Sequence, residues 1–337
     1  MSEVKIKETN LVKVLAAQAR NESVDSALAN EANEFIQTLA QDLTPNNKHT
    51  IAEVVAYGVN EIIQPKLNWL DLIADVKRVP EGTKAQFSVE LEGIRAFIQA
   101  KGSTTPRSKI AHKTFTLDTI NVSARPAINI VELRTGQTNM AALIQQAAYQ
   151  MELKENQEIQ RVLNAAMGTA PWTSPYYAAG SGIVKATFDP MLKHFSRLSG
   201  GANPAIVGDI DMIDKLVDLT GFNQNTTTKQ FAESIMDEVN NTGYIGKYRG
   251  CVVGKLINPM IDGTDDLVLD TKKLFILPVG ISNEMRPLKV IFEGDVVSME
   301  DTNINDRQFE VVLDQAFGVG FAVGVRPYMG VYEDTSL

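Results

Sequence analysis

The chain has 337 residues, of which 44% are hydrophobic and 22% charged, a composition typical of a protein that buries a core and holds two domains. Its formal net charge of −9 argues against a nucleic-acid reader, because affinity for phosphates is supplied largely by Lys and Arg. The single cysteine, Cys251, excludes an intrachain disulfide framework and suits a reducing cytoplasm, and no apolar run is long enough for a membrane span.

The first 48 residues are polar and rich in Ala, Asn and Glu, which predicts an arm that is helical in part. A weak helical stripe runs through Val24, Leu28, Phe35, Ile36, Leu39 and Leu43. We expect this arm to find its apolar partner elsewhere. After it, Thr50-Ile-Ala-Glu53 matches a capping box and predicts a helix that ends before Pro65.

Residues 77–125 predict a long two-stranded hairpin. Apolar and polar residues alternate over residues 85–91, the period of two that is typical of a half-buried strand. The return arm repeats the alternation through Phe115 and Leu117, and its phase slips by one before Ile120, as a β-bulge would cause. Arms of about 16 to 20 residues, at ~3.3 Å each, give a hairpin roughly 50 to 60 Å long. Because isolated hairpins are marginal at best, this one needs a surface, either on its own domain or on a neighbouring copy.

Residues 138–168 predict one long helix. Apolar residues spaced by three and four form one stripe, and charged residues occupy the other side. The stripe contains Met140, Leu143, Ile144, Ala147, Met151, Ile159, Val162, Leu163 and Ala166, and the charged side contains Glu152, Lys154, Glu155, Glu158 and Arg161. Thr138 is the expected N-cap, and Gly168 is the expected residue past the C-terminus. At about 1.5 Å per residue the helix is roughly 45 Å long, so we expect a strut.

Residues 187–285 predict a compact α+β block, because helical segments are followed by short strands. The helical segments are 188–198, 209–219 and 229–239, and the strands are 248–256, which holds Cys251 as a small apolar residue, and 273–279. From Leu288 the tail is predicted to be all strand, with turn residues between strands at 290–293, 296–299, 309–313 and 316–325.

The chain shows no constellation that points to catalysis or to a metal. The three histidines are far apart in sequence and belong to no H-E-x-x-H motif. Asp209, Asp211 and Asp214 are not interpreted as a metal site: Asp211 and Asp214 have helical spacing, and Asp209 falls at a helix N-terminus, where carboxylates are favoured. The glycines of residues 318–324 lack the spacing of a dinucleotide fingerprint and lie inside a strand pattern, so we interpret them as sites of close backbone packing. We expect no enzyme activity, no cofactor and no metal.

The order of these elements is a polar arm, a capped helix, a long hairpin, a strut helix, a compact α+β block and terminal strands. Over about residues 45–330, this order resembles the major capsid protein of tailed bacteriophages with the Hong Kong 97 type fold. Residues 204–221, Pro-Ala-Ile-Val-Gly-Asp-Ile-Asp-Met-Ile-Asp-Lys-Leu-Val-Asp-Leu-Thr-Gly, look like the family's strand, helix and glycine ahead of the axial loop. Residues 307–317, Arg-Gln-Phe-Glu-Val-Val-Leu-Asp-Gln-Ala-Phe, are similar to a segment near the end of the family's chains.

The resemblance implies an α+β Hong Kong 97 type capsid fold and a division of the chain. Residues 1–48 are the N-terminal arm, 49–76 the first part of the peripheral domain, 77–125 the extended β-hairpin loop, and 126–186 the peripheral domain with the spine helix 138–168. Residues 187–285 are the axial domain, 286–325 the peripheral strands, and 326–337 a C-terminal strand or tail that can return to the axial domain.

The resemblance also implies a function. The chain is expected to be a structural, non-enzymatic late protein that self-assembles into pentamers and hexamers of an icosahedral shell. The shell encloses phage double-stranded DNA without sequence-specific binding, and the implied location is the virion capsid, assembled in the cytoplasm of the bacterial host. The arm is too short for the scaffolding domain that some relatives carry, so assembly is expected to use a separate scaffolding protein or the short arm itself. A portal and decoration proteins are the other expected partners. An encapsulin-type nanocompartment shell protein is the alternative, and a soluble two-domain enzyme is a remote one.

We expect the hairpin and the arm to lie across neighbouring subunits, because slender segments gain apolar burial only on another surface. The expected contact residues are Phe87, Leu91, Arg95, Phe97, Arg107, Lys109, Phe115 and Leu117. The cations among them stand out in an acidic protein and predict that charge sets the register between subunits. Some relatives crosslink a loop lysine to a neighbour's asparagine. Lys101 or Lys109 with Asn303 or Asn305 would be the matching pairs here, but the sequence assigns no buried acid to promote the reaction.

Overall fold

A computed structural model gives the fold of the chain and describes residues 12–20, 22–66, 70, 74–92, 98, 107, 111–137, 139–166, 172–217, 219, 245–256, 258, 260, 264–267, 270–303, 306–323 and 326–336. Helices pack against separate β-sheets, so the predicted α+β class is confirmed. The predicted helix at 229–239 lies outside the described residues.

The helices, in chain order, are α1 at residues 12–19, α2 Ser26–Gln41, α3 Pro45–Lys66, α4 Ile130–Thr135, α5 Met140–Ala166, α6 Lys185–Leu198 and α7 Ile210–Val217. The strands are β1 Ala74–Val79, β2 Gln86–Glu92, β3 Ala111–Thr116, β4 Ile120–Ala124, β5 Ala127–Asn129, β6 Tyr177–Gly180, β7 Ala205–Gly208, β8 Lys247–Tyr248, β9 Cys251–Lys255, β10 Lys273–Leu277, β11 Leu288–Asn303, β12 Gln308–Phe321 and β13 Gly330–Asp334. A short 3₁₀ helix spans Asn283–Met285.

The five-stranded sheet has the order β1-β11-β12-β4, and β5 also pairs with β12. Strand β1 runs parallel to β11, and β11 and β12 form a long antiparallel pair. The four separate tail strands predicted from the sequence are wrong, because they merge into these two long strands. The turn residues near Gly294 instead form an irregularity between Glu293 and Val297, where Gly294 adopts a φ of 73° and the strand continues beyond it.

Helices α3 and α5 cover the inner face of this sheet with a shared apolar core. The predicted capping box at Thr50 is wrong, because α3 begins at Pro45 and the Thr50 hydroxyl donates to the carbonyl oxygen of Asn46 inside the helix, at 3.0 Å. The Thr44 hydroxyl oxygen accepts from the Asn47 N–H at 3.3 Å, and a proline fits the first turn because it has no N–H to satisfy. The helix also continues past the predicted stop to Lys66.

The N-terminal helices α1 and α2 pack onto the same core. Leu15, Ala32 and Ile36 are at most 2% exposed and belong to the apolar cluster that includes α3 and α5. The Arg134 guanidinium donates to the carbonyl oxygen of Ala40 at 3.2 Å, which fastens α2 to α4. The apolar stripe of residues 12–41 is therefore buried without a neighbour, and contact of the arm with a neighbouring subunit stays a prediction. The short connection after α2 reverses the chain and brings its apolar stripe to the chain's own core.

The spine helix α5 confirms the predicted strut, with 27 residues from Met140 to Ala166. Asn139 caps it, because its side-chain oxygen accepts from the Ala142 N–H at 3.2 Å. The predicted cap Thr138 and the predicted terminator Gly168 lie outside the described residues. Glu155, predicted to lie on the charged side, departs from the prediction, because it is 0% exposed.

The six-stranded sheet has the order β6-β13-β10-β7-β9-β8, and α6 and α7 pack beside it around a second apolar cluster. The predicted helices at 188–198 and 209–219 are confirmed within a few residues. The interpretation of Asp209 is also confirmed, since its carboxylate accepts from the Asp211 N–H at 3.0 Å at the start of α7. Cys251 is buried in β9, as its interpretation as a small apolar residue requires.

Candidate functional site: the hairpin and its anchoring surface

Strands β2 and β3 form a two-stranded antiparallel sheet in which Phe87 lies opposite Phe115. Its register shifts between Glu90 and Glu92, so the irregularity lies in the first arm. The predicted bulge before Ile120 is wrong: the chain there leaves the hairpin and enters the five-stranded sheet as β4. Because β1 and β4 belong to the five-stranded sheet, the two-stranded part is shorter than the predicted hairpin at 77–125.

The base of the hairpin, hereafter the hairpin root, packs on the outer face of the five-stranded sheet. Phe87 is 0% exposed and forms an apolar cluster with Ala85 and Ile291. Phe115 and Leu117 are half-buried against this cluster, and the Phe87 and Phe115 rings stack with centroids 6.0 Å apart. Strand alternation directs Ile291 away from the face that the helices cover. Helices and hairpin root therefore cover opposite faces of one sheet.

Glycines in β12 make this close packing possible. A Cβ on Gly318 would lie 2.7 Å from the Asp118 carbonyl oxygen, and one on Gly320 would lie 2.3 Å from a methyl carbon of Leu117. The connection from β3 to β4 crosses the sheet at this point. The interpretation of these glycines as sites of close backbone packing is confirmed.

The predicted contact residues differ in how exposed they are and in whether the structure describes them. Phe87 is a correction, because the chain's own sheet already buries its whole side chain and leaves no apolar surface for a neighbour. Phe115 and Leu117 keep part of their surface exposed, Leu91 lies in β2 beside the irregularity, and Arg107 is exposed. The other three residues, Arg95, Phe97 and Lys109, lie outside the described residues. Contact between subunits stays a prediction for all except Phe87.

A buried ion pair lies beneath the hairpin root. The Lys289 side chain is 0% exposed, and its ammonium group lies 3.0 Å from the Asp75 carboxylate and donates to the carbonyl oxygen of Glu284 at 2.7 Å. Burial lowers the pKa of Lys289, and the hydrogen bond and charge of Asp75 oppose that shift. The Lys77 and Lys289 ammonium groups lie 4.9 and 5.9 Å from the centroid of the Phe87 ring, within cation–π range. Sequence patterns missed this pair, because its members are 214 residues apart.

A single carboxylate on β11 holds the two passages of chain that lead into and out of the hairpin. Glu293 accepts from the Gly82 N–H at 2.7 Å, in the turn after β1. Its second oxygen accepts from the Thr119 hydroxyl at 3.0 Å, in the connection to β4. The hairpin root is thus tied at both ends to the strand on which it packs.

Glu155 is a buried acid in the middle of the spine. Neither carboxylate oxygen has a hydrogen-bond partner among the described residues. Burial raises the pKa of Glu155 to about 8, the charge of Glu152 adds to the shift and that of Arg78 opposes it. The carboxyl group is therefore largely neutral at pH 7. The sequence did carry a signal, because Glu155 follows Met151 and precedes Ile159 by four residues and so falls on the apolar stripe.

Within the part of the chain that the structure describes, no cluster of three or more His, Cys, Asp or Glu side chains is arranged to hold a metal ion. The described helices include none with the length and apolar character that crossing a membrane requires.

A long spine helix on one face of a sheet, a hairpin anchored on the other face and a second, six-stranded sheet define the class: this is a capsid subunit with the Hong Kong 97 type fold. The chain belongs to the phage capsid family described as "SPbeta prophage-derived putative capsid protein YonB", whose model matches residues 2–333. Its role is that of a structural major capsid protein of the virion. No curated protein matches the chain.

Solved structures are similar to the chain at low sequence identity. The mature capsid subunit of bacteriophage PhiM1 is 12% identical, with 79% of this chain and 86% of that chain covered and a TM-score of 0.51. The Mycobacterium phage Adephagia structure is 13% identical over 78% of this chain and 89% of that chain, with a TM-score of 0.49. A virus-like particle from Pyrococcus furiosus is 13% identical over 83% of this chain and 98% of that chain, with a TM-score of 0.46.

Proposed function

We propose that the chain assembles with copies of itself into pentamers and hexamers that close an icosahedral shell around phage double-stranded DNA. The observation that carries the proposal is the family match over residues 2–333. The fold shared with the mature PhiM1 capsid subunit supports it. A structural rather than an enzymatic role fits the chain, because its distinctive features are a long spine helix and a hairpin anchored on a sheet.

The division of labour between the two sheets is part of the proposal. The five-stranded sheet, with the spine helix and the hairpin root, acts as the peripheral domain. The six-stranded sheet acts as the axial domain, and copies of it gather around the symmetry axis of each ring. Such rings use a heterologous contact: one surface of each copy meets a different surface of the next copy, and the rotation from copy to copy closes the ring.

The hairpin supplies one of the two surfaces. Its root is fixed to its own sheet by Phe87 and Glu293, so the segment beyond the root starts from a defined position. Ile98 and Arg107, in that segment, are exposed and offer an apolar side chain and a cation to a neighbour. Cations set against an otherwise acidic partner favour one register, because wrong pairings bring like charges together.

Other partners follow from the same role. An acidic shell wall does not grip phosphates, so packaged DNA stays free to move. Assembly in the host cytoplasm with a separate scaffolding protein, and attachment of a portal and decoration proteins, complete the proposal. The family resemblance supports these partners.

The test is direct imaging of the purified chain and of particles from cells in which the phage is produced. We expect rings, tubes or closed shells by negative-stain electron microscopy, and nuclease-protected double-stranded DNA in the particles. A chain that stays a monomer or dimer in every condition, including with its scaffolding partner, would contradict the shell function. Shells that hold an enzyme and no DNA would instead support the nanocompartment alternative.

A further inference from the structure

A small cavity of about 250 Å³ lies near the C-terminal end of α3, on the inner face of the five-stranded sheet. Ile63 of α3 and Phe292 of β11, which both belong to the inner apolar core, line it. Arg78 of β1 and Gln315 of β12 complete its polar side. The cavity also reaches Gly294, where the pairing of β11 is irregular. We refer to it as the bulge cavity.

Strand register places Arg78 on the inner face of the sheet. It lies opposite Phe292, and its guanidinium carbon is 5.8 Å from the centroid of the Phe292 ring. Val76, two residues earlier on the same face of β1, packs against the inner core. In the part of the chain that the structure describes, the Arg78 guanidinium makes no hydrogen bond and no ion pair. Its N–H donors are therefore free to serve another group.

The inner face also holds acceptors that lack a donor. Gln315 is 7% exposed, and its side-chain oxygen has no hydrogen-bond partner among the described residues. Both carboxyl oxygens of the fully buried Glu155 are in the same situation. Arg78 is the cation whose charge favours the ionised form of Glu155. A guanidinium has a planar fork of donors that matches a carboxylate and leaves a further N–H for a carbonyl oxygen.

Other charged groups around Glu155 face away from it or have partners. Glu310 and Asp314 alternate onto the outer face of β12, because the residues between them point into the inner core. On the inner side, Glu300 of β11 lies 3.5 Å from His49 of α3. The exposed acids on these elements are Glu53 and Glu61 of α3 and Asp295 of β11. The charges that act on Glu155 are Glu152 of its own helix, which opposes ionisation, and Arg78, which favours it.

We propose that the charge on Glu155 controls the position of Arg78, so that a proton in the spine helix governs the strand that leads into the hairpin root. With Glu155 neutral, Arg78 rests on the Phe292 ring, as in this structure. When the carboxyl group ionises, Arg78 moves through the bulge cavity and pairs with it, because a buried carboxylate without a cation is strongly unfavourable. Both positions belong to one subunit, so the inference does not depend on the shell function.

The end of β1 transmits this movement to the hairpin root. In the turn after β1, the Gly82 N–H donates to Glu293 at 2.7 Å. Lys77, next to Arg78 on the opposite face of the strand, donates to the carbonyl oxygen of Gln86 at 2.7 Å. Displacement of Arg78 towards the spine draws β1 away from these contacts. Ionisation of Glu155 therefore loosens the hairpin root.

A double-mutant cycle at two pH values tests the pairing. Glu155→Gln keeps the shape of the neutral acid, and Arg78→Met removes an exposed cation. Chemical denaturation of the full chain gives the coupling between the two changes as a ratio of unfolding equilibrium constants. We expect a ratio of about tenfold or more at pH 9, where Glu155 is ionised, and of roughly one at pH 6. The matched control, Lys77→Met in place of Arg78→Met, should give a ratio of roughly one at both pH values, because Lys77 lies on the outer face.

Hydrogen exchange of the Gly82 amide tests the effect on the hairpin root. Its protection factor is measured relative to the amides of β12, so that a change in global stability cancels. We expect this relative protection to fall about fivefold or more from pH 6 to pH 9 in the parent. It should stay constant in Glu155→Gln, which cannot ionise, and in Arg78→Met, which has no cation to move.

The possible results decide the two parts of the proposal separately. A coupling that is the same at pH 6 and pH 9, or as large with Lys77→Met, would overturn the pairing of Arg78 with Glu155. A Gly82 amide that loses no relative protection, or loses as much in Glu155→Gln, would overturn control of the hairpin root. If Arg78→Met does not fold, Arg78→Gln takes its place in the cycle and is read in the same way.

Discussion

The N-terminal helices and the hairpin are the two slender parts of this chain, and they are anchored in opposite ways. Residues 12–41 bury their apolar stripe in the chain's own helical core. The hairpin buries only its root, through Phe87 on Ile291, and leads to residues such as Ile98 and Arg107 that are exposed. The first segment is complete within one subunit. The second leads to exposed residues that, in the proposed shell, another copy would cover.

A subunit anchored in these two ways can be stable alone while one of its segments stays exposed. Glu293 and Phe87 fix where the hairpin starts. In the proposed shell, a segment whose start is already fixed loses less conformational entropy on association, which favours assembly. The N-terminal helices differ from the hairpin, because their apolar stripe is already buried in the chain's own core.

Removing the Phe87 ring should have the largest effect on how the hairpin is anchored. Phe87→Ala removes a fully buried ring from the hairpin root, so we expect the free energy of unfolding to fall by about 3–5 kcal/mol. Chemical denaturation of the subunit measures this change. The matched control is Phe115→Ala, whose half-buried ring should have a smaller effect. Equal losses for the two rings would mean that the hairpin is not rooted as described.

The spine that supports both segments should respond to pH through Glu155. Its pKa rises from 4.5 to about 8 in the folded chain, so the folded state holds the proton more tightly than the unfolded state does. Stability is therefore lost as the pH rises from about 4.5 to about 8. Glu155→Gln removes this ionisation, and we expect it to gain stability over the parent at pH 9, on the order of 4 kcal/mol relative to pH 4.5. Denaturant titrations at both pH values measure the gain. Parallel pH profiles for the parent and the variant would show that Glu155 is not buried as a neutral acid.

The N-terminal helices should prove to be part of the subunit's own fold. Ile36→Ala leaves a cavity at a position that is 2% exposed, so we expect the isolated subunit to lose about 2–3 kcal/mol of unfolding free energy. Leu28→Ala serves as the control, because Leu28 is 45% exposed on the same helix and should cost little. If Ile36→Ala affects assembly alone and spares subunit stability, the helix is packed on a neighbour.

The smallest change in subunit stability should accompany a large change in assembly. Arg95→Glu with Arg107→Glu reverses charge in the hairpin, and we expect unfolding of the isolated subunit to change by no more than about 0.5 kcal/mol. Shell formation should stop, because the reversed charges oppose the register between copies. Light scattering and negative-stain images follow assembly, with Arg95→Lys and Arg107→Lys as the charge-conserving control. Normal particles from the double Glu variant would refute a role for these cations.

Period and spacing in the sequence were enough to predict the spine, the hairpin alternation and the α+β class, because these depend on local patterns. They were not enough where a distant segment decides. The hairpin and β4 look like one continuous arm, since residues 111–124 keep strand character while the partner strand changes from β2 to β12. Residues 290–299 look like two strands around Gly294, yet pairing with β12 carries β11 through the irregularity.

Glu155 also shows that a local sequence pattern does not decide burial. The charge of Glu155 predicts an exposed position, although its four-residue spacing from Met151 and Ile159 places it on the apolar stripe. Burial by packing overrode its preference for water and kept it neutral instead. The prediction that Phe87 contacts a neighbour was wrong for a related reason. Only the fold shows that Phe87 packs against Ile291, which is distant in sequence.

Hydrogen exchange of the free subunit and of the assembled particle shows whether the hairpin, and not the N-terminal arm, is the segment that a neighbouring copy covers. We predict that amides of residues 93–110 exchange more slowly in the particle than in the subunit, because another copy covers them. Amides of α2 that face the chain's own core should exchange at the same slow rate in both. Slowing that appears in α2 and is missing from residues 93–110 would contradict the account, because the arm and not the hairpin would then be the segment that needs a neighbour.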